Sequence, residues 1–228
     1  MALIKFSGLI SDIRGKLNGA IFARNHWGAY AKGYIYSANP ETPQRKIYRD
    51  AFKIVSQRWK NITDSNRLTW EILAGTQVKS NALGDKYKPS AYSLFCSCNT
   101  NLSLCGQLII DVANWDTNII GLSDFETIIT ISPTFNINID FSGQTTDDNT
   151  IHLIYATPEL HLSVNYVKSP YRLISAIPAN TADYYDITTD YINIFPSPAG
   201  NLKIAIKIRP INITSGFSSL SLRKFGLT

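Results

Sequence analysis

The spacing of apolar residues changes part-way along the chain, from a helical repeat to a strand repeat. In the first half, one apolar stripe recurs at intervals of four, three and four residues, in Tyr48, Phe52, Val55 and Trp59. That spacing places these side chains on one face of an amphipathic helix. Residues 135–141 instead alternate apolar and polar side chains, which is typical of a half-buried strand. Because the two repeats occupy separate regions, they predict an α+β fold.

Helix-boundary residues flank three helical segments. Thr42 is a good N-cap residue, and Pro43 after it suits the first position of a helix. Leu68, Ile72 and Leu73 form the apolar side of the second segment, with Trp70 near its edge. Glycine favours the end of a helix because it readily adopts a left-handed conformation. We therefore predict helices from Thr42 to about Lys60, from Thr63 to Gly75, and from Ser90 to Gly106.

A glycine-rich segment precedes the helices. Residues 7–37 carry five glycines between short apolar runs, and Asn18-Gly19 can supply the positive φ angles of a tight hairpin turn. We expect two or three short strands here. Since so small a ribbon buries little apolar surface of its own, it must pack on the helices or on another subunit.

The second half of the chain is predicted to be an antiparallel β-sandwich of the immunoglobulin or fibronectin type III kind. The polar residues 142–149 end the strand at 135–141. The further predicted strands are 151–156, 161–168, 171–177, 202–209 and 218–225. The Cys-Trp-Cys signature of true immunoglobulin domains is absent from the sequence. The predicted organisation is a basic β-hairpin arm (1–40), a helical segment (41–106), a connector (107–125) and a β-sandwich domain (126–228).

Charge is divided along the chain in the same way. Residues 1–90 hold 15 of the 22 lysines and arginines against six acidic residues, a net charge of about +9. The remainder holds seven basic and 11 acidic residues, a net charge of about −4. A basic N-terminal region is compatible with binding to phosphate or to an acidic protein surface. No run of 18 apolar residues and no apolar signal region is visible, so neither a transmembrane helix nor a secretory signal is expected.

The three cysteines lie close together in the third predicted helix. Cys96 and Cys98 point roughly 200° apart on a helix, so they cannot share a tetrahedral metal ion. An odd number of cysteines also argues against a disulfide framework. We interpret Cys96, Cys98 and Cys105 as buried free thiols in a protein synthesised in a reducing cytoplasm.

Histidines and carboxylates give no recognisable catalytic pattern. His152 and His161 lie in neighbouring predicted strands, without a nucleophile motif nearby, and we interpret both as polar residues on a sheet face. The loop carboxylates lack calcium-loop spacing and are interpreted as solvated turns: Asp147, Asp148, Asp183 and Asp186. The phosphate-binding glycine motifs of nucleotide-binding proteins are absent. The sequence therefore predicts no catalytic residue, no metal and no cofactor.

The glycine-rich ribbon interleaves basic and aromatic side chains. Such a mixture is enriched at protein interfaces, and it can also stack bases and neutralise phosphates. We favour a protein interface, because aromatic residues in a hairpin this small need a partner surface. The candidate interface residues are Arg14, Lys16, Arg24, Trp27, Tyr30, Lys32 and Tyr34.

Several short motifs in the first half resemble those of a protein family. The chain contains Gly15-Lys16-Leu17-Asn18-Gly19, then residues 39–44 (Asn-Pro-Glu-Thr-Pro-Gln), and then a helix pair with Trp59 and Trp70. It thereby resembles uncharacterised virion-associated structural proteins of tailed bacteriophages, which carry a Gly-Lys-x-x-Gly hairpin, an Asn-Pro-x-Thr-Pro-x-Gln helix start and a Trp-x-x-Leu-Thr pattern. Here Gln44 comes one place early and Ile62 replaces the leucine. The resemblance covers about residues 7–105 and carries no activity over to any residue.

The expected function is that of a non-enzymatic bacteriophage structural protein. The resemblance implies a minor capsid, decoration, vertex or tail component located in the virion. Its expected partners are coat, portal-vertex or tail subunits, in a homo-oligomer or symmetric array, with DNA contact open and no membrane contact. Two alternatives remain: nucleic-acid binding by the ribbon, and glycan binding by exposed rings of the sandwich, namely Tyr184, Tyr185 and Tyr191.

Overall fold

The computed structural model of the protein describes residues 2–5, 12–33, 41–81, 83–130, 135–167, 171–196 and 203–227. These residues form helices and antiparallel sheets in a mixed, α+β arrangement. The four helices are α1 (Pro43–Asn61), α2 (Asp64–Thr76), α3 (Ala91–Leu104) and α4 (Thr188–Ile194). The strands are β1 (Ala2–Leu3), β2 (Gly15–Leu17), β3 (Ala20–Asn25), β4 (Gly28–Gly33), β5 (Lys79–Ser80), β6 (Lys86–Tyr87), β7 (Glu126–Thr130), β8 (Asn136–Thr145), β9 (Thr150–Ala156), β10 (Arg172–Ile177), β11 (Ala182–Asp186), β12 (Lys203–Asn212) and β13 (Leu222–Leu227).

Local capping sets the starts of the three long helices, as predicted. The side chains of Thr42, Thr63 and Ser90 each accept a hydrogen bond from the backbone N–H three residues later. Gly106, at φ +71°, ends α3 in the predicted left-handed conformation. Its N–H donates to the carbonyl of Ser103, and the next N–H donates to that of Leu102. These two hydrogen bonds satisfy backbone carbonyls that would otherwise lack a partner at the end of the helix.

The second helix is rotated relative to its predicted orientation. Trp70 is fully buried, and its indole nitrogen donates to the carbonyl of Asp111 at 2.8 Å. Leu68 and Ile72, predicted to face the core, are instead more than half exposed. Burying the indole removes more apolar surface from water than burying either aliphatic side chain. The end of α2 also differs from the prediction, because the helix runs on through Gly75 to Thr76.

Two antiparallel sheets account for the second half of the chain. One has the order β10-β9-β12-β13 and the other the order β11-β8-β7. Side chains from both sheets and from α4 contribute to one hydrophobic cluster, including Ile139, Phe141, Ile154, Ile206 and Tyr191. Gly226 lies where the sheets approach, and a Cβ atom there would come within 2.7 Å of Ile129 and Thr127.

Several predictions for this half are corrected by the structure. Residues 161–167 form no strand, because His161 Nδ1 accepts the backbone N–H of Ser163 and closes a local turn. The strand at 136–145 continues past Phe141 through Gly143, whose φ of +80° accompanies an irregular register with β11. The sequence patterns also missed β7, β11 and α4.

The helices cover part of the outer face of the four-stranded sheet. Tyr48 of α1 and Leu104 at the end of α3 pack on Leu153, Tyr155 and Ile211 of that sheet. A separate cluster between the helices contains Val55, Trp70 and Phe95. The helical segment and the four-stranded sheet therefore bury apolar side chains against each other.

A close contact between the helices and the second half of the chain lies at Gly216, in the turn after β12. Its φ is +73°, and a Cβ atom at this position would lie 2.3 Å from the carbonyl oxygen of Cys98. The carbonyl of Gly216 accepts a hydrogen bond of 2.8 Å from the buried Asn101 side chain. Only glycine leaves room for this approach of the turn to α3.

Candidate interaction site

The glycine-rich segment forms a small sheet with little core of its own. Its order is β1-β4-β3-β2, and Asn18 and Gly19 make the turn between β2 and β3 with positive φ, as the sequence predicts. None of the described residues from 12 to 33 is buried. Apolar burial within the sheet therefore cannot hold it in place, so its position depends on contacts with other surfaces.

The described contacts between this sheet and the rest of the protein gather around the β5–β6 hairpin and the residues after it. His26 and Trp27, in the turn between β3 and β4, both pack edge-on against Tyr87. His26 Nε2 lies 3.1 Å from the carbonyl oxygen of Lys88. Lys5 forms an ion pair of 2.7 Å with Asp85. These contacts hold the tip of the β3–β4 hairpin beside α3.

Strand register divides the predicted interface residues between two faces and the tip. Ile21 lies opposite both Lys16 and Lys32, so these two lysines share a face, and Tyr30 lies on the same side. Arg24 projects from the opposite face, and Trp27 lies at the tip. Arg14 precedes β2 and is paired with Asp12 at 2.9 Å. Tyr34 lies outside the described residues.

Beneath the tip lies a groove between α1 and α3, which we call the hairpin groove. Its volume is about 720 Å³, and its lining includes Trp27, Phe52, Tyr92, Cys96 and Leu104. Trp27 is 45% exposed and Phe52 is 48% exposed, although the helical stripe predicted that Phe52 would be buried. Ala51 and Val55 of α1 are buried in place of Phe52. A volume of this size lies within the range of typical ligand sites, about 300–1,000 Å³.

The lining of the hairpin groove includes the hydroxyl of Thr100 and the thiol of Cys96, and two further cysteines lie on or just after α3. Thr100 Oγ1 is buried without a hydrogen-bond partner among the described residues. Burial raises the pKa of the Cys96 thiol, although a hydrogen bond from Tyr92 opposes that rise. Desolvation also raises the pKa of Cys98 and of Cys105 to about 12. These thiols therefore stay protonated at neutral pH, where a nucleophile or metal ligand needs the thiolate. Cys96, Cys98 and Cys105 are free, as predicted.

The interpretation of His152 and His161 as polar residues on a sheet face is wrong for both, because His161 lies outside the strands and His152 is buried. His161 is exposed, and its Nδ1 lies 2.8 Å from the hydroxyl of Ser163. His152 is 1% exposed and points from β9 into the interior, beside Leu122, Pro210 and Leu222 around a cavity of about 230 Å³. Neither of its ring nitrogens has a hydrogen-bond partner among the described residues. Desolvation lowers the pKa of His152 to about 4, against an opposing effect of the Asp147 charge.

Asp147 and Asp148 lie in the turn between β8 and β9, as predicted, but Asp183 and Asp186 belong to strand β11 rather than to a turn. Asp147 accepts hydrogen bonds from the Asn149 backbone and the Thr150 hydroxyl. Among the residues that the structure describes, no three histidine, cysteine or carboxylate side chains gather closely enough to hold a metal ion. None of the described helices is both long and apolar enough to cross a bilayer.

Comparison with known proteins gives no relative to guide the assignment. No model of a known protein family matches the sequence, and no curated protein matches it either.

Proposed function

We propose that this chain is a non-enzymatic structural protein of a tailed-bacteriophage virion, as a minor capsid, decoration, vertex or tail component. The strongest support comes from the small β1-β4-β3-β2 sheet, which we call the hairpin sheet. It carries aromatic and basic side chains, and none of its described residues between 12 and 33 is buried. Such an element is stabilised when a neighbouring protein covers it. The partner is a coat, portal-vertex or tail subunit, in a symmetric array that includes further copies of this chain.

The two sheets of the second half serve as the presented part of the protein. Their shared cluster of isoleucines and aromatic residues supports an immunoglobulin-like β-sandwich as the finer description of this region. In this arrangement the helices and hairpin bind the particle, and the face of the β7–β8–β11 sheet is turned away from it.

Charge and apolar surface define the chemistry of the partner. Lys16 and Lys32 lie on one hairpin face, and Trp27 and Phe52 lie around the groove. An acidic protein surface that supplies an apolar side chain to the groove complements both features. The rings provide most of the binding free energy, and the lysines orient the partner.

The direct test is to measure the amount of this chain in purified particles by mass spectrometry, relative to the major coat protein. A copy number in the hundreds identifies a shell or decoration protein. A number of about five, six or twelve identifies a vertex or tail component. Absence from particles contradicts the proposal.

A point substitution at the tip tests the docking surface. Trp27→Ala is expected to lower incorporation into particles at least about tenfold, since a central tryptophan at an interface commonly contributes about 2 kcal/mol or more. Incorporation is measured by adding purified protein to particles that lack it. Trp115→Ala is the matched control, because Trp115 is also a half-exposed tryptophan, at 50%. Equal incorporation of the two variants would show that the tip is not the docking surface.

Glycan binding is a second candidate, favoured by one face of the three-stranded sheet. Tyr184 is 64% exposed and borders a cavity of about 510 Å³ with Asn136, Asn138, Asp140 and Asp186. A ring that can stack on a sugar, beside amides and carboxylates that bind hydroxyl groups, suits a neutral glycan. The prediction that Tyr184, Tyr185 and Tyr191 are all exposed is wrong. Tyr185 is only half-exposed, and Tyr191 is fully buried, with its hydroxyl donating a hydrogen bond to the carbonyl oxygen of Thr157.

Tyr184→Ala is expected to reduce retention on cell-surface polysaccharide by about tenfold, since the substitution removes an exposed ring that lines this cavity. Retention is measured by affinity electrophoresis in gels that contain the polysaccharide. Tyr166→Ala serves as control, because Tyr166 is exposed but does not line the cavity. If both variants migrate like the unsubstituted protein, the glycan candidate is rejected.

A further inference from the structure

Basic residues from the end of the chain form a group on the outer face of the four-stranded sheet, although the second half is acidic overall. Lys207 of β12 lies directly opposite Arg223 of β13. Arg209 follows two residues further along β12 on the same face, about 7 Å away. We call Lys207, Arg209 and Arg223 the cationic strip. Arg45 and Arg49 of α1 line an adjoining cavity with Tyr171, which extends the positive surface across the α1–sheet boundary.

Within the part of the chain that the structure describes, no side-chain carboxylate forms an ion pair with the cationic strip. All 17 aspartates and glutamates of the chain lie in the part that the structure describes, and none of the ion pairs there involves a residue of the strip. Lys207 lies instead over the rings of Tyr155 and Tyr171, at 4.3 and 5.0 Å from the ring centres. Arg209 donates to the hydroxyl of Ser218 at 2.6 Å.

This arrangement is unfavourable for the isolated protein. Like charges directly opposite each other on neighbouring strands are destabilising. Burial, followed by the charges of Arg223 and Arg209, lowers the pKa of Lys207. A bound anion removes the repulsion, and it does so along the whole row because several cations share the same face.

The surface chemistry distinguishes between two kinds of anionic partner. Protein interfaces are depleted of charged residues at their centres, whereas nucleic-acid interfaces are much more positively charged. The aromatic residues beside the strip offer little free apolar area, because Tyr155 is buried and Lys207 covers both rings. The row of cations at strand spacing also matches a partner with regularly repeated charges rather than a single anion.

We propose that the cationic strip binds the phosphate backbone of a nucleic acid, without reading its sequence. Arg209 also lines the hairpin groove, but the proposed binding of nucleic acid does not depend on the virion proposal. Arg209 and Lys207 contact successive phosphates, and Arg223 provides a third cation from the neighbouring strand. The Tyr155 and Tyr171 rings hold the Lys207 side chain on the sheet face.

The test compares two variants of adjacent residues on β13. Arg223→Gln removes a cation of the strip, and Lys224→Gln removes one that faces the other side and pairs with Asp124 at 2.9 Å. Binding to a fluorescent duplex of about 20 base pairs is measured by anisotropy between 50 and 200 mM salt. Arg223→Gln is expected to weaken binding about fivefold at low salt. It is also expected to reduce the slope of the logarithm of the binding constant against the logarithm of the salt concentration by about 0.9 in magnitude. Lys224→Gln is expected to leave both unchanged.

Three results would overturn the proposal. The first is that the unsubstituted protein does not bind the duplex. The second is that both variants bind equally well, which would assign any DNA binding to another surface such as the hairpin. The third is that polyglutamate displaces the duplex at equal charge concentration and loses affinity in the same variant, which would identify an acidic polypeptide as the partner. Circular dichroism and thermal unfolding verify that both variants are folded.

Discussion

Gly216→Ala is expected to destabilise the folded protein by about 3 kcal/mol or more, because two unfavourable effects coincide. The residue adopts φ +73°, where an L-amino acid other than glycine is strained. Its new Cβ atom would also lie 2.3 Å from the backbone oxygen of Cys98 in the middle of α3. A backbone atom cannot move aside by side-chain rotation. The turn must therefore shift, with loss of the hydrogen bond from Asn101.

Gly143→Ala separates these two effects. Gly143 has a similar φ of +80°, but a Cβ atom there would have open space around it. This control variant is expected to lose only about 1 kcal/mol, the cost of the left-handed conformation. The free energy of unfolding of each variant is measured by chemical denaturation. Similar losses in both variants would mean that the turn can move away from α3 at little cost, contrary to the packing described above.

The second large effect is an acid-dependent loss of stability caused by His152. Its pKa is about 4 in the folded protein and about 6.5 in an unfolded chain. Between these pH values the unfolded chain binds more protons, so the free energy of unfolding falls as the pH is lowered. The contribution is fully present above about pH 6.5 and decreases by about 3 kcal/mol by pH 4. Denaturant unfolding at a series of pH values measures this slope.

Two substitutions assign the slope to a single residue. His152→Leu introduces an apolar side chain of similar size that cannot be protonated. The variant is therefore expected to lose most of the slope of the free energy of unfolding against pH between pH 4 and 6.5. A change in packing that alters the stability equally at every pH does not affect this comparison, because it leaves the slope unchanged. His161→Leu changes an exposed histidine and is expected to retain the slope. If His152→Leu keeps the slope of the unsubstituted protein, the acid sensitivity originates elsewhere.

Features set by neighbouring residues in the sequence were predictable. The caps at Thr42, Thr63 and Ser90 depend on a side chain and a backbone N–H three residues apart. The turn at Asn18-Gly19 and the helix end at Gly106 depend on backbone conformations that few residues adopt. Strand β9 was correctly predicted from its apolar run, which the structure places between β10 and β12.

Features set by packing between distant segments were not predictable from these patterns. Helix α2 has apolar residues on more than one side, and Trp70 faces inward where it contacts Phe95 and donates to the carbonyl of Asp111, both from other segments. The run at 161–167 has the composition of a strand, but a side-chain hydrogen bond forms a turn instead. Short elements such as β11 and α4 are stabilised by the cluster that they complete, including Tyr191.

The candidate surfaces follow the same division. Basic and aromatic residues of the ribbon were visible in the sequence, but the strand register that separates Arg24 from Lys16 and Lys32 was not. The hairpin groove combines α1, α3 and the β3–β4 turn, and no single segment indicates it. The opposed pair of Lys207 and Arg223 lies within a region whose net charge is negative, so averaging over the sequence concealed it.

The contact between Gly216 and α3 also has a consequence for the newly made chain. Asn101 and Gly216 are separated by 115 residues, so the ribosome makes α3 long before it makes the turn that covers it. At typical synthesis rates of 5–20 residues per second, the interval is on the order of ten seconds. During that time Cys98 and Asn101 lack their final partner, and strand β9 lacks its neighbour β12. Completion of this part of the fold must therefore wait until β12 and the turn at Gly216 have been made, and until then the unfinished chain exposes surface that can aggregate.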